Sequence, residues 1–181
     1  SDTPLLMVAA VTPEQLNFWH AAPIGSAAFK VEPEDFIVEE LLQPPITNTG
    51  EHLYLQVQKR NQNSQWVAAQ LAHAAGIEVG GVGFCGLKDR RAITRQWYSL
   101  HLPGRELNIN ALAHNDYQIL QSGRGSAKLR RGDHAGNHFV ITLHDIDCPK
   151  EELEARIEVI RQSGFANYFG LQRFGRNGNN L

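Results

Sequence analysis

Cysteine is scarce in this chain. Two among 181 residues, Cys85 and Cys148, are too few for a disulfide framework or a four-ligand structural zinc site. Both lie among apolar neighbours, so buried free thiols are expected, and with them a reducing compartment. Long apolar runs are missing too. None approaches the roughly 20 residues that a membrane-spanning helix needs. The apolar stretch at 5–11 has no basic flank and leads into a helix start, which argues against a secretory signal. No Walker loop, dinucleotide-binding glycine turn or nucleophile elbow occurs. Of the eight histidines, only His134 and His138 stand four apart. Gly136 lies between them and no cysteine or carboxylate cluster accompanies them, so no metal site is expected. A strong charge of one sign is absent as well: the formal net charge is −2.

What is present describes a folded protein. Hydrophobic residues make up 42% and charged ones 20%, a globular balance long enough to bury a core in one domain. The charge is unevenly spread. Residues 86–131 hold nine Lys/Arg against three acids, while 32–40 hold five acids and no base. A basic face on an acidic body suits phosphate contacts, and a solvated charged face fits equally well.

Local patterns give the elements. Thr12-Pro13-Glu14-Gln15 reads as a capped helix start, with the helix reaching about His20. Strands are expected at about 26–32 and 36–41, with a Pro-bearing turn between them and a loop over 43–50. From His52 to Lys59 the chain alternates, with Leu53, Leu55 and Val57 on one face and Gln56 and Gln58 on the other. A helix over about 65–75 follows, with Val67, Leu71 and Ala74 as its stripe and Gly76 as its stop. Further strands are expected at 82–87, 93–102, 116–122, 127–131 and 137–145, with a weak helix at 107–114. Asp147 or Cys148 then caps a helix whose buried stripe is Leu153, Ile157 and Ile160, ended by Ser163-Gly164. Strands outnumber helices and hairpin-like connections dominate. The fold class is therefore α+β with a mostly antiparallel sheet and packed helices, with no internal domain boundary.

Three groups of residues are candidates for chemistry. Asp89 follows a buried-type strand in Gly86-Leu87-Lys88-Asp89-Arg90-Arg91. A carboxylate at a rigid strand end, among cations, can serve as nucleophile or base; it can equally neutralise a basic turn. Asn137 and Phe139, two apart on a strand, share a face and can read a base edge and stack on a base; a core stripe of Phe139, Ile141 and Leu143 is the alternative. Arg124, Lys128, Arg130 and Arg131, flanked by glycines, form a basic stretch suited to phosphate.

Four stretches then carry a resemblance: 29–40, 83–96, Gly136-Asn137-His138-Phe139, and 167–175. Together, in this order, they resemble the TruD family of RNA pseudouridine synthases, with supporting matches near 50–61. The resemblance implies part of a pseudouridine synthase catalytic fold. It also implies isomerisation of a uridine in tRNA, typically uridine 13, without metal or cofactor. It makes Asp89 the catalytic aspartate, Lys30 its paired lysine, Phe36 an active-site aromatic, and Asn137 and Phe139 the residues that hold and stack the target base. Lys88, adjacent to Asp89 and pointing away, is a poorer partner for it than Lys30. A cytoplasmic, monomeric enzyme with tRNA as partner and no membrane attachment is expected. Members of the family are commonly about twice this length. Residues 1–181 therefore correspond to the N-terminal portion of the catalytic domain, without its second half or insertion domain, and could be inactive alone. Two other readings are an RNA-binding module without catalysis, and a glycosidase-like hydrolase. The usual chemistry of the latter needs a second carboxylate at a set separation.

Overall fold

The computed structural model describes residues 20–165. The expected first helix, apart from His20, and the stretch at 167–175 lie outside them. The chain divides into two compact units, Ala28–Asp145 and a second made from residues up to Ala27 and from Ile146 onward. The sequence offers no composition shift at either point.

The larger unit is built on a six-stranded sheet. Its strands are β2 (Phe36–Leu41), β3 (His52–Arg60), β4 (Val82–Phe84), β5 (Ile93–His101), β6 (Tyr117–Gly125) and β7 (Gly136–Ile141). The order across it is β6-β3-β5-β2-β7, and β4 also pairs with β5. Every pairing is antiparallel except β2 with β5, so the class is α+β with a mostly antiparallel sheet, as the patterning predicts. β1 (Ser26–Phe29) and β8 (Leu143–Asp147) form a separate two-stranded sheet.

The alternation in β3 does what it promises. Leu53, Leu55 and Val57 face α1 (Ser64–Ala75) and are buried with Tyr98, Leu100, Val67 and Leu71. The Asn63 side chain accepts from the Trp66 amide at 2.6 Å and caps this helix. Gly76, at φ 63°, ends it in the left-handed conformation. The helix stripe runs on to Ala75 rather than Ala74, which is exposed. The other sheet face is covered in part by residues 126–130, where Leu129 packs with Tyr54, Trp97 and Cys85.

Several expectations need correction. Residues 127–131 form no strand. Their polar groups are met by side chains instead: Tyr54 Oη donates to Ala127 O at 2.7 Å, and Leu129 N donates to Ser99 Oγ at 2.9 Å. The 137–145 strand breaks at Thr142, whose amide turns to Asp35 O, so its two parts join different sheets. Helix α2 spans Lys150–Ser163 with Pro149 as its N-cap, and none of its residues is buried. Cys148 is only partly buried, whereas Cys85 is buried and its thiol is pushed up to about 12 by desolvation.

One feature of the sheet positions the loop that carries Asp89. β2 and β4 lie end to end along the same edge of β5: β2 pairs with Ile93–Arg95, and β4 with Tyr98–Leu100. The loop 85–92 leaves β4 at the gap between them.

Candidate active site

Asp89 sits in that loop, and its carboxylate reaches the surface with 33% of the side chain exposed. Lys30 Nζ lies 3.2 Å from Asp89 Oδ1. Lys30 follows the last residue of β1 and adopts φ 54°. That left-handed conformation costs a non-glycine residue on the order of 1–3 kcal/mol. A second tie joins the same two segments, from the Arg91 guanidinium to Val31 O at 2.9 Å.

An aromatic row continues from the ion pair. The Lys30 ammonium stands 3.7 Å from the Phe36 ring centroid, a close cation–π contact. The Phe36 ring in turn lies 5.9 Å from that of Phe139 and 5.6 Å, edge on, from Phe29. Phe36 is buried, but Phe139 is 50% exposed. Phe139 is the cross-strand partner of Val38, and Asn137 that of Glu40, so both face the same side of the sheet. The Asn137 amide oxygen is buried and has no hydrogen-bond partner among the described residues. The exposed ring of Phe139 is not the core position that a stripe with Ile141 and Leu143 implies; those two are about half exposed as well.

The loop beneath Asp89 is held at several of its polar groups. Gln96 Nε2 donates to Gly86 O, and Lys88 N donates to Ser64 Oγ at 3.1 Å. Lys88 Nζ pairs with Glu40 Oε1 at 3.0 Å, with side-chain exposures of only 5% and 0%. The other Glu40 oxygen accepts from Trp97 N at 3.0 Å, at the point where β5 has neither β2 nor β4 beside it. Lys59 Nζ donates to Asp89 O at 3.0 Å and to Gln62 O at 2.5 Å. Lys88 is thus turned away from Asp89, as adjacent-residue geometry implies. Glu40 and Lys59 are polar residues at this loop that sequence reasoning passed over. The available signal was phase: Lys59 continues the stripe of Leu53, Leu55 and Val57.

The basic candidates separate. Arg124 lies in the edge strand β6 and donates to Leu102 O at 3.2 Å and to Arg105 O, with Glu106 3.7 Å away. It belongs to β6 rather than to a loose basic stretch. Lys128 donates to Gly80 O at 2.5 Å. Arg130 and Arg131 are exposed on the segment whose Gly132 amide donates to Cys85 O, at the root of the Asp89 loop.

A cavity of about 750 Å³ opens elsewhere, lined by residues including Gln56, Trp97, Gln121, Glu39 and Ile46; Asp89 does not line it. Among the described residues no cluster of three His, Cys, Asp or Glu is arranged to hold a metal ion, and no helix is long and apolar enough to cross a membrane.

Comparison with known proteins bears on this site. A family model described as tRNA pseudouridine synthase D (TruD) matches residues 15–180. The tRNA pseudouridine synthase D of Stutzerimonas stutzeri is 47% identical over 163 residues, covering 90% of this chain and 47% of that protein. That of Pseudomonas aeruginosa PAO1 is likewise 47% identical over 163 residues, covering 90% and 46%. A crystal structure from Methanosarcina mazei that carries the same family name superposes with a TM-score of 0.74 at 27% identity, covering 91% of this chain and 40% of that one. The chain spans about half the length of the relatives it matches.

Proposed function

The chain belongs to the TruD family of tRNA pseudouridine synthases, and from that membership we propose that the protein isomerises a uridine in tRNA to pseudouridine, with Asp89 as the catalytic carboxylate. The expected position is uridine 13, and the chemistry needs no cofactor. In the reaction the C1′–N1 bond breaks, the uracil turns, and a C1′–C5 bond forms. N1 gains a proton and C5 loses one, so atoms balance without an external reagent.

The observation that carries this reading is the solvent-reaching pair of Asp89 and Lys30 at 3.2 Å, linked through the Phe36 ring to the half-exposed ring of Phe139. Asp89 engages the sugar, by attack at C1′ or by removal of the C2′ proton. Lys30 balances its charge and is itself steadied over Phe36. Phe139 offers a free ring face on which a flipped base stacks while it turns in its own plane. The unpartnered oxygen of Asn137 accepts the N3–H of uracil, a proton that cytosine lacks at that position. Arg130 and Arg131 contact phosphate at the rim; Arg124 serves the fold instead. The enzyme acts in the cytoplasm as a monomer.

Tritium release tests the reading. The complete gene product, incubated with tRNA labelled at uracil C5, is expected to release tritium, and Asp89→Ala to bind tRNA without release. Binding without release by the unaltered protein would favour an RNA-binding module. Free uracil as product would favour a hydrolase.

A further inference from the structure

Lys59 occupies an apolar position. It follows Leu53, Leu55 and Val57 on the face of β3 turned toward α1, and 1% of it is exposed. Its ammonium donates to two acceptors, Gln62 O at 2.5 Å and Asp89 O at 3.0 Å. Both are main-chain carbonyls rather than carboxylates. Burial pulls its pKa down to about 8, with the charge of Asp89 opposing that fall.

A charge in such a place is costly to desolvate. An apolar side chain of similar length would fill the stripe without desolvating an ammonium, but it would leave the carbonyls of Gln62 and Asp89 without this donor. What an apolar residue cannot do is hold a carbonyl. Upstream of Asp89 the loop is tied at Gly86 and Lys88, and downstream at Arg91, which donates to Val31 O, and at Ala92 O. Lys59 is the side chain that donates to the main-chain carbonyl of residue 89. Through Gln62 it also fixes the turn after β3, where Asn61 N donates to Ala92 O and Asn61 takes φ 55°.

We propose that Lys59 is a positioning residue for the catalytic reaction: it anchors the main chain of residue 89 from beneath while Lys30 engages the carboxylate from above. The carboxylate is then presented to the sugar at one height and angle. This role rests on Asp89 being the catalytic group, as proposed above. Its magnitude follows from geometry, since misplacing a reacting group by about 1 Å can cost on the order of a hundredfold in rate.

The test compares Lys59→Met, Lys59→Gln and Asp89→Ala in the complete gene product, measuring tritium release across a range of tRNA concentrations together with thermal unfolding. Lys59→Met is expected to fold and to lose about 10- to 100-fold in kcat with KM within about twofold. Lys59→Gln keeps an N–H donor and is expected to regain part of that loss. A kcat within about twofold of the unaltered protein in folded Lys59→Met overturns the proposal, as does a loss that only tracks the unfolded fraction. Should Lys59→Met fail to fold, the same split in Lys59→Gln decides: reduced kcat at constant KM supports the role, and unchanged kcat or a loss parallel to unfolding removes it. Asp89→Ala separates the two layers of inference. Turnover that survives in Asp89→Ala sinks the assignment of Asp89, whereas an inactive Asp89→Ala beside a fully active Lys59→Met sinks the role of Lys59 alone.

Discussion

Over β3 and β5 one face of the sheet is closed by α1, and over β7, beyond the buried Phe36 and Val38 of β2, the same face is open. On the closed part Leu55, Val57, Tyr98 and Leu100 are wholly shielded from water. On the open part Phe139 and Ile141 keep about half of their surface, although register places them on the same side. The two ion pairs of the Asp89 loop repeat the contrast one residue apart. Lys88–Glu40 is sealed in the gap of the sheet, while Lys30–Asp89 meets solvent with exposures of 21% and 33%. Rigidity and access are therefore supplied by different neighbours. The closed part holds the loop still, and the open part leaves its carboxylate reachable.

The sharpest way to break this comparison is to substitute one residue from each part. Asp89→Ala is expected to lower turnover by about a thousandfold or more with little change in stability. Leu55→Ala is expected to cost about 2–5 kcal/mol of stability while leaving the activity of folded molecules near that of the unaltered protein. Urea unfolding followed by turnover assays checks both, and comparable destabilisation by the two would dissolve the distinction.

Phe139→Ala probes the open part alone. Loss of one base-stacking ring is expected to cost about 1–3 kcal/mol in tRNA binding or turnover, with thermal unfolding nearly unchanged because the ring is half exposed. A large stability loss would mean that Phe139 is core after all.

The basic residues sharpen the contrast further. Arg130→Ala combined with Arg131→Ala is expected to weaken tRNA binding and to reduce the slope of its salt dependence by about one for each phosphate no longer neutralised. Arg124→Ala, whose guanidinium serves main-chain carbonyls, is expected to leave that slope alone and to lower stability. Binding measured between low and moderate salt distinguishes them.

The smallest expected effect lies at the margin of the open part. His144 Nε2 is 2.7 Å from Asp35 Oδ1. That bond raises the imidazole pKa; the Glu32 amide, and then His144, lower that of the Asp35 carboxyl. The histidine's contribution is complete below its unfolded value of about 6.5 and fades as pH rises through the raised folded one. The aspartate's is complete above about 3.9 and fades as pH falls through the depressed folded one. The pair therefore supports the fold most between those limits. The stability difference between the unaltered protein and His144→Ala should shrink on going from pH 6 to pH 9; a constant difference would contradict the pairing.

Much of the fold is legible residue by residue. The strict alternation of β3, the Gly76 stop of α1, and the span of β2 follow from periods and terminal chemistry that operate locally. The failures share a cause. Residues 127–131 look like a strand, but their polar groups find Tyr54 and Ser99 rather than a neighbouring strand. The 137–145 run is continuous in sequence, yet Asp35 draws off the Thr142 amide and divides it. Leu153, Ile157 and Ile160 carry helical spacing, which marks a face without saying what lies against it; in the structure none is buried.

The motifs around Asp89, Lys30, Asn137 and Phe139 named the candidate site from sequence, because residue identity and order are all that a family resemblance requires. Period and composition likewise settled the α+β class. Only the tertiary structure decided that two strands share one edge of β5 and leave a gap between them. Only it decided that Glu40, Lys88 and Lys59 fill that region, and that Arg124 is spent on the fold. Those outcomes depend on contacts between residues well apart in the chain, 48 positions for Lys88 with Glu40 and 19 for Arg124 with Arg105, and local periodicity carries no information about such separations.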